Sequence, residues 1–421
     1  MIDSIVIFED GGYRNLLPLV YLRPTYELLS GILTIREKIE YHFPQSNIIL
    51  HTREYLAKHL QKNNSDNQVN SINSESKSCL FINGRLLIDN SIVDILSNSK
   101  DNSLFTSNNE IVAAKVSGSN LESFTDQLPE LFSLSSFQNL NNIDIDATLI
   151  QYPWDLVNLN GNEITKDFEF LVNRKQELHL GKIYPNATLI NDKNIFIGKG
   201  SKIKPGVVLD AELGPIYIGE NVTIMSNAVI EGACYIGDNS TIKIGAKIYE
   251  NTSVGKVCKV GGEVEESIIH SYSNKQHDGF LGHAYLGQWV NLGADTNNSD
   301  LKNNYGNVKV ILNDEQPIDS GLKFVGLIMG DHSKTSINTM INTGTVVGVS
   351  SNIFGNGFPD KYIPSFSWGG SDSLSTYNLD KSIHVATEVM KRRNIQFSQL
   401  DESIFREVFK LTSSERKNRD I

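Results

Sequence analysis

The 421-residue sequence predicts an α/β domain, then a parallel β-helix, then a short helical tail. A buried strand, a glycine turn, a helix and a second strand follow one another over residues 4–51. Aliphatic residues then recur every six positions from Ile218 to Val260, a period that neither an α-helix nor a single strand produces. Helical spacing returns over residues 380–393 and 403–417, which predicts the tail.

The first half begins with a predicted strand at residues 4–8, and Gly11-Gly12 follow it in a turn. Apolar spacing predicts a helix over residues 33–43, and residues 47–51 form the next predicted strand. This order is typical of α/β nucleotide-binding domains. A glycine turn after the first strand can present backbone N–H groups to phosphate, and a plain tight turn is an equal alternative.

Two polar stretches interrupt this half. Residues 62–78 are rich in Asn and Ser and contain too few apolar groups to bury, which predicts a solvated loop or disorder. The second polar stretch is residues 97–109. The other predicted elements are a buried strand over residues 79–88 that is interrupted at Asn83-Gly84-Arg85, a strand over 111–116, a helix over 121–132, and a helix from Tyr152 toward Arg174.

The six-residue repeat predicts a β-helix in which each short strand contributes one inward aliphatic residue. The aliphatic positions are Ile218, Ile224, Ile230, Ile236, Ile242, Ile248, Val254 and Val260. Small residues follow the first seven at a spacing of four: Val222, Ala228, Cys234, Ser240, Ala246, Thr252 and Cys258. Gly219, Gly237 and Gly255 recur every 18 residues, which predicts three faces per coil and a triangular prism. We expect glycine at these corners because it accepts backbone angles that a Cβ forbids.

The repeat begins near Ile183, loosens after Val260 and resumes at Leu286. An Asn-rich loop over residues 296–307 follows, and predicted strands over 308–312 and 322–328 lead the chain back to the prism. His332 and Lys334 form a polar cluster on a later coil, which would either meet phosphates of a ligand or be solvated at a surface turn.

Composition excludes several classes of protein. A formal net charge of −11 and a pI near 5.4 argue against a nucleic-acid-binding surface, because this charge gives no general electrostatic gain on phosphate backbones. No apolar run approaches the roughly 18 residues that a membrane span needs. The N-terminus leads directly into a strand, without a basic region and signal core. Cys79, Cys234 and Cys258 form neither a disulfide framework nor a zinc spacing, so we expect a reducing cytoplasm.

The most specific motif lies over residues 275–294. It contains His277, then Phe280 followed by Leu-Gly, then Val-Asn-Leu-Gly-Ala around Asn291. Because of this motif, the chain resembles the bifunctional bacterial family that couples glucosamine-1-phosphate N-acetyltransferase with N-acetylglucosamine-1-phosphate uridylyltransferase. It is most similar to a shorter, divergent branch of sugar nucleotidyltransferases.

The resemblance implies a nucleotidyltransferase-like domain over residues 1–176, a left-handed β-helix acyltransferase domain over 177–372 and a helical tail over 373–421. It also implies a homotrimer, with acyl-CoA bound between neighbouring prisms. The partners that it implies are an amino-sugar phosphate, a nucleoside triphosphate and acetyl-CoA, together with Mg²⁺ and without nucleic acid or membrane.

The resemblance implies the following roles on the β-helix: His277 is the acetyltransferase base, and Phe280, Asn291, Asn304, Tyr305 and Lys309 contact the substrate. A histidine suits this role because its ordinary pKa of about 6.5 lies near working pH. A loop histidine bonded to a backbone carbonyl is the structural alternative. Glu265-Glu266 replace a basic pair of the family, and we expect them to repel a sugar phosphate.

In the first half, Gly11, Gly12 and Arg14 occupy the family's phosphate-binding turn, and Asn83-Gly84-Arg85 replace the segment that carries its magnesium aspartate. We therefore expect Arg14 and Arg85 to contact phosphates directly. Asp155 matches the second metal-binding segment and could hold Mg²⁺, or it could serve as a carboxylate at a helix N-terminus. A nucleotidyltransferase whose β-helix only assembles the protein, and a regulatory trimer without catalysis, are the alternatives.

Overall fold

The computed structural model describes residues 2, 4–73, 76–173, 175–313 and 316–421. The first part is a seven-stranded sheet flanked by helices. Its strands are β1 (Ser4–Phe8), β2 (Leu29–Ser30), β3 (Leu33–Thr34), β4 (Asn47–Leu50), β5 (Gln68–Val69), β6 (Ser78–Asn83), β7 (Ser103–Ser107), β8 (Glu110–Ser117) and β9 (Asn141–Asp144). The strand order in the sheet is β5-β4-β1-β6-β8-β7-β9, and β2 and β3 form a separate small hairpin. Its helices are α1 (Ile35–His42), α2 (Glu54–Asn63), α3 (Asn90–Asn98), α4 (Ser119–Asp126) and α5 (Pro153–Val172).

The polar stretches contain more regular structure than their composition predicts. The first stretch includes the end of α2 and the strand β5, which pairs in parallel with β4; its residues 74–75 lie outside the described residues. The second stretch contains β7, which pairs with β8 and β9. These two strands are stabilised by hydrogen bonds to other strands of the sheet, although the stretches themselves contain few apolar residues. The helix α4 ends at Asp126, earlier than predicted, and α5 ends at Val172, while Arg174 lies outside the described residues.

The middle of the chain is a prism with three parallel faces, which confirms the predicted left-handed β-helix. The docked face, which packs against the α/β part, stacks β12 (Ile195–Ile197), β15 (Ile216–Ile218), β18 (Cys234–Ile236), β21 (Thr252–Val254), β24 (Ile268–Ile269), β27 (Tyr285–Leu286), β31 (Ile328–Met329), β34 (Val346–Val347) and β36 (Tyr362–Ile363).

The second face stacks β10 (Lys182–Ile183), β13 (Lys202–Ile203), β16 (Thr223–Ile224), β19 (Thr241–Ile242), β22 (Lys259–Val260) and β25 (Asn274–Lys275). It continues through a bridge at Asn291 to β32 (Lys334–Thr335), β35 (Asn352–Ile353), β37 (Ser367–Gly369) and β38 (Leu374–Thr376). The third face stacks β11 (Thr188–Ile190), β14 (Val208–Asp210), β17 (Val229–Glu231), β20 (Lys247–Ile248), β23 (Glu263–Glu265) and β26 (Phe280–Gly282), followed by the pair β28 (Asn297–Asn298) and β33 (Met340–Ile341).

The eight predicted aliphatic positions all point into the prism, and each is at most 1% exposed. Glycine occurs at the corners Gly219, Gly237 and Gly255 for a different reason from the predicted one. Their φ angles are not positive; a Cβ on Gly237 would lie 2.6 Å from the carbonyl carbon of Gly255 in the next coil. The positive φ angles fall two residues later, at Asn221, Asn239 and Val257. Close stacking of the coils therefore selects glycine here.

The excursion, residues 299–313 and 316–325, leaves the prism between β28 and β31 and carries the antiparallel pair β29 (Lys309–Val310) and β30 (Ile318–Asp319). The tail consists of α6 (Leu379–Lys391), α7 (Gln399–Leu411) and α8 (Ser413–Lys417). In the tail, Glu415 accepts a hydrogen bond from the Tyr21 hydroxyl at 2.6 Å. This bond joins the tail to the α/β part. Among the described helices, none is long and apolar enough to cross a membrane.

The docked face joins the prism to the α/β part through shared apolar packing and buried hydrogen bonds. Outward side chains of this face, such as Tyr235 and Tyr285, belong to the same apolar cluster as Ile35. The Tyr285 hydroxyl lies 3.0 Å from the Leu29 amide nitrogen. Asn160 of α5 donates to the Asn251 carbonyl at 2.8 Å. These contacts leave the corner between the second and third faces away from the α/β part.

Candidate functional site

The glycine turn after β1 is a short 3-10 helix, Gly11–Leu16. Asp10 caps it, because its Oδ1 accepts a hydrogen bond from the Gly12 N–H at 3.0 Å. Arg14 is exposed, and its carbonyl accepts a hydrogen bond from Asn313 Nδ2 at 2.8 Å. The Gly12 N–H, predicted to face phosphate, is thus bonded to a carboxylate of the chain itself.

Arg85 is 1% exposed beside this turn, and its guanidinium donates only to groups of the chain. Nε and Nη2 donate to Oδ1 and Oδ2 of Asp10 at 2.9 and 2.7 Å. Nη2 also donates to Glu110 Oε2 at 3.1 Å. Nη1 donates to the Ile150 carbonyl at 2.9 Å and to Gln151 Oε1 at 3.2 Å. These bonds use all five N–H groups of a guanidinium. The predicted contact of Arg85 with phosphate does not fit this geometry.

Gly12, Asn83 and Gly84, which were also predicted to bind nucleotide or phosphate, pack around the Arg85–Asp10 pair instead. A Cβ on Gly12 would lie 2.3 Å from Arg85 Cζ, so glycine makes room for the arginine. A Cβ on Gly84 would lie 3.0 Å from the Phe8 carbonyl oxygen. Asn83 Nδ2 donates to the same aspartate carboxylate at 2.9 Å. The three residues therefore pack the end of the sheet, where a nucleotide was predicted.

A second buried ion pair at this edge has no counterpart among the sequence predictions. Glu9 accepts from Arg53 Nε at 3.1 Å, from Thr52 Oγ1 at 2.8 Å and from the Thr25 N–H at 2.9 Å. The only signal for it in the sequence is a carboxylate directly after a buried strand. It fixes the segment around Thr25 against the sheet.

Asp155 lies at the start of α5, and its Oδ2 accepts hydrogen bonds from the N–H groups of Gln151 and Tyr152, both at 2.9 Å. Burial raises the pKa of this carboxyl, and the two N–H groups oppose the rise. The geometry is that of the helix-terminus alternative. Over the ranges that the structure describes, no group of three His, Cys, Asp or Glu side chains could hold a metal. The residues at this edge therefore do not fit Mg²⁺.

His277 is exposed at the corner between the second and third faces of the prism, between β25 and β26. Its carbonyl accepts a hydrogen bond from Lys275 Nζ at 3.1 Å. Lys275 is 2% exposed inside the prism and also donates to the Gly261 carbonyl at 2.9 Å. Burial lowers the pKa of Lys275 to about 8. The described residues include no hydrogen-bond partner for the His277 imidazole, so it is available to a ligand.

Phe280 and Asn291 lie on the two faces that meet near this corner. Phe280 begins the strand β26 of the third face, and its N–H donates to Asn297 Oδ1 at 2.8 Å. On the second face, the backbone of Asn291 forms β-bridges with Asn274 of the preceding coil and with Lys334 of the following coil. The two residues therefore flank the corner, Phe280 in the same coil as His277 and Asn291 one coil further on.

Asn304, Tyr305 and Lys309 lie on the excursion. Asn304 Oδ1 accepts from the Gly306 N–H at 3.0 Å, and Tyr305 is 66% exposed. Lys309 is exposed opposite Asp319 in the β29–β30 pair. No hydrogen bond between described residues joins any of the three to His277.

His283 forms the centre of a cluster that the sequence did not reveal. Its Nδ1 lies 2.9 Å from Asp300 Oδ2 and its Nε2 lies 3.3 Å from Glu266 Oε2. Phe324 stacks on the imidazole at 4.9 Å. Burial alone would lower the pKa of His283, but the hydrogen bonds to Asp300 and Glu266 raise it to about 9. Glu266, predicted to repel a phosphate, is thus balanced by a protonated histidine.

One alternative predicted that His332 and Lys334 lie in a solvated surface turn. The burial of His332 contradicts that alternative. His332 is 5% exposed, and Lys334 Nζ donates to its carbonyl at 2.7 Å. Burial lowers the pKa of Lys334 to about 8. His332 therefore lies in the interior between the prism and the tail, and Lys334 is half-buried beside it.

Two family models match the chain. Residues 5–176 match the family described as sugar nucleotidyl transferase, and residues 215–249 match the bacterial transferase hexapeptide of six repeats. The predicted resemblance is confirmed at this level: a sugar nucleotidyl transferase domain precedes hexapeptide repeats.

Curated relatives share parts of the chain. The bifunctional protein GlmU of Rippkaea orientalis is 35% identical over 106 residues, which are 24% of this chain and 21% of the relative. GlmU of Acaryochloris marina is 28% identical over 170 residues, 40% of this chain and 32% of the relative. The chain thus spans well under half the length of these relatives. Among solved structures, the UDP-N-acetylglucosamine acyltransferase of Francisella novicida has 18% identity and a TM-score of 0.27, covering 56% of this chain and 86% of its own.

Proposed function

Because the chain joins a sugar nucleotidyl transferase domain to a hexapeptide-repeat prism, we propose that it is a sugar-phosphate transferase of nucleotide-sugar synthesis. Its reaction is N-acetyl transfer from acetyl-CoA to an amino-sugar 1-phosphate, with His277 as the base. The observation that carries the proposal is the exposed His277 at an interrupted corner of the prism, flanked by Phe280 and Asn291 on adjoining faces.

The reaction requires one proton to leave the amine as it attacks. The amine nitrogen forms a bond to the thioester carbonyl carbon, and His277 accepts the amine proton as that bond forms. The carbon–sulfur bond then breaks, and the released thiolate takes up a proton. Lys275 holds the backbone of His277 through its carbonyl, so the imidazole is presented from a fixed corner.

The α/β domain supports a binding role better than nucleotidyl transfer. Phosphoryl transfer relies on a metal that neutralises charge as it develops. Here the guanidinium of Arg85 occupies the edge of the sheet, and Asp155 caps a helix. We therefore assign the transfer step to the prism. In this proposal the domain contributes at most sugar-phosphate or nucleotide contacts, for which Arg14 is the exposed candidate.

A homotrimer is part of the proposal. Ile244, Ile337 and Phe354 are 66%, 68% and 40% exposed, and each follows a strand of the second face at the corner that carries His277. Ile337 and Phe354 are in neighbouring coils, and Ile244 lies four coils earlier along the same corner. Exposed apolar side chains along one corner favour burial against another copy. Three free, buried cysteines suit the reducing cytoplasm that the proposal implies.

Thiol release from acetyl-CoA in the presence of glucosamine 1-phosphate tests the function. We expect release by the wild-type protein and its loss in His277→Ala, with His384→Ala as the control because His384 is exposed on α6. Full activity in His277→Ala would exclude this residue as the base. Absence of release with every amino-sugar phosphate, together with pyrophosphate release from UTP and a sugar 1-phosphate, would instead favour a nucleotidyltransferase with an assembly-type prism.

A further inference from the structure

A cavity of about 490 Å³ lies where the α/β part, the prism and the tail meet, and we call it the junction cavity. Leu56 and Leu60 of α2 form one apolar wall, and Ile395, Phe397 and Ile404 of the tail form another. The prism contributes the corner between its docked and second faces. His277 lies at a different corner, so this cavity is separate from the proposed acetyl-transfer site.

Successive coils place an unusual column of residues at the corner that faces the cavity. Val257, Tyr272, Trp289 and His332 follow one another there, each with a φ between 60° and 67°. Earlier coils place Asn221 and Asn239 at this position. Positive φ is strained for bulky and β-branched side chains, and such strain is concentrated at functional sites.

Ring stacking explains part of this column. Tyr272 stacks on Trp289 at 4.3 Å, and the edge-on ring of Phe405 from α7 lies 5.0 Å from His332. Docking of the tail accounts for these contacts. It does not account for His332 Nδ1, which is buried without a hydrogen-bond partner among the described residues. A buried, unsatisfied polar atom costs about 1–3 kcal/mol.

The cavity has hydrogen-bonding groups at its inner end. Burial lowers the pKa of His332 well below its ordinary value, and Lys334 and Arg23 lower it further, so the imidazole is neutral. Gln288 lies in the preceding coil, with its Nε2 3.4 Å from His270 Nδ1. Its second N–H and its oxygen offer a donor and an acceptor in one plane. Arg23 pairs with Asp331 at 2.7 Å and with the Leu19 carbonyl at 2.8 Å, which leaves donors for a ligand.

The acidic residues that line the cavity are bonded within the chain: Glu27 to Arg36, Asp331 to Arg23, Asp401 to His59 and Glu37 to the Thr34 N–H. Two lysines of the cavity wall differ from them. Lys62 and Lys256 line the cavity, are exposed, and form no ion pair with another described residue. Lys256 precedes Gln288 by two coils, which is about 10 Å at the ~4.8 Å spacing of neighbouring strands. In a chain with a net charge of −11, two unpaired lysines in the wall of a cavity favour an anionic group beside them.

We propose that the junction cavity binds a small molecule that joins a planar, hydrogen-bonding ring to an anionic group, the chemistry of a nucleoside monophosphate. The ring lies between the apolar walls and bonds to His332 and Gln288. The phosphate lies at Lys256 and Lys62. Because all three parts of the chain contribute to the wall, the ligand stabilises their docked arrangement.

Calorimetric titration of the full chain with UMP and with AMP tests this site. We expect one monophosphate to bind with a stoichiometry of one per chain, and uridine or adenosine to bind more weakly. Lys256→Ala and Gln288→Leu should each weaken binding about tenfold, the loss of one charged or paired hydrogen bond. Lys202→Ala, an exposed lysine of the second face, should not.

A second measurement covers the case in which a variant is destabilised. The melting temperature of the wild type should rise with the monophosphate, and the rise should persist in His277→Ala, which separates this inference from the proposed catalytic function. Failure of both monophosphates to bind at millimolar concentration would overturn the inference. Binding that both cavity variants leave unchanged would overturn it equally, since the ligand would then lie elsewhere.

Discussion

Arg85 and Asp10 form a two-pronged ion pair at the end of the central sheet, with Nε–Oδ1 and Nη2–Oδ2 distances of 2.9 and 2.7 Å. Gly12 leaves the space that this pair occupies. The chain therefore uses the glycine turn to enclose its own arginine. That relationship is the physical reason for placing the transfer chemistry on the prism.

Replacing Arg85 by Met should lower the free energy of unfolding by about 3–5 kcal/mol, because it leaves the Asp10 carboxylate buried without its cation. Urea denaturation measures the change. Arg14→Met is the matched control and should stay close to wild type, since Arg14 is exposed. A loss below about 1 kcal/mol, the range of surface pairs, would show that solvent reaches the carboxylate.

Lys275→Met should reduce the rate of acetyl transfer while the protein stays folded. The methionine fills the inward position but cannot donate to the carbonyls of Gly261 and His277. We expect kcat to fall with little change in KM, because the base loses its support and the substrate contacts remain. Lys334→Met replaces a half-buried lysine whose pKa is also lowered; it is the control and should leave kcat unchanged. Equal loss in both variants would indicate a general packing defect.

The contribution of His283 to stability should be lost as the pH rises from about 6.5 to about 9. The pKa of His283 is about 9 in the folded chain, above the ordinary value of 6.5. The folded state therefore binds the proton more tightly, and this stabilisation is complete below pH 6.5 and lost as the pH rises through 9. The groups that face the imidazole are Glu266, Asp300 and the ring of Phe324.

The variant His283→Asn tests this, since asparagine accepts the positive φ of 45° at that position. Urea unfolding at several pH values should show a smaller decrease over this window than in wild type. His384→Asn should keep the wild-type decrease, because His384 is exposed. An unchanged decrease in His283→Asn would assign the pH dependence to other groups.

Ile337→Asp should dissociate the proposed trimer, because a carboxylate at that corner would be buried against another copy. Sedimentation velocity measures the change. Leu213→Asp is the control: Leu213 is 80% exposed but follows the third face. A monomeric wild type, or a trimer that survives Ile337→Asp, would contradict the assignment of this corner to the interface.

The repeat from Ile218 to Val260 could be predicted because each inward residue is specified by its own six-residue unit. The His283–Asp300 pair and the Arg85–Asp10 pair could not, since each joins segments that only the folded backbone brings together. The strand β7 shows the same limit: pairing with β8 and β9 forms it inside a polar stretch.

The prism, its buried rows and the position of His277 at a corner were predictable from sequence, because these follow from short-range periodicity and a local motif. The burial of Arg85 against Asp10, the hydrogen bonds of Asp155 at the start of α5 and the enclosure of the junction cavity by three parts of the chain emerge only in the folded structure. The physical reason is distance along the chain: hydrogen bonds and ion pairs between remote segments depend on packing, and no local pattern encodes the packing.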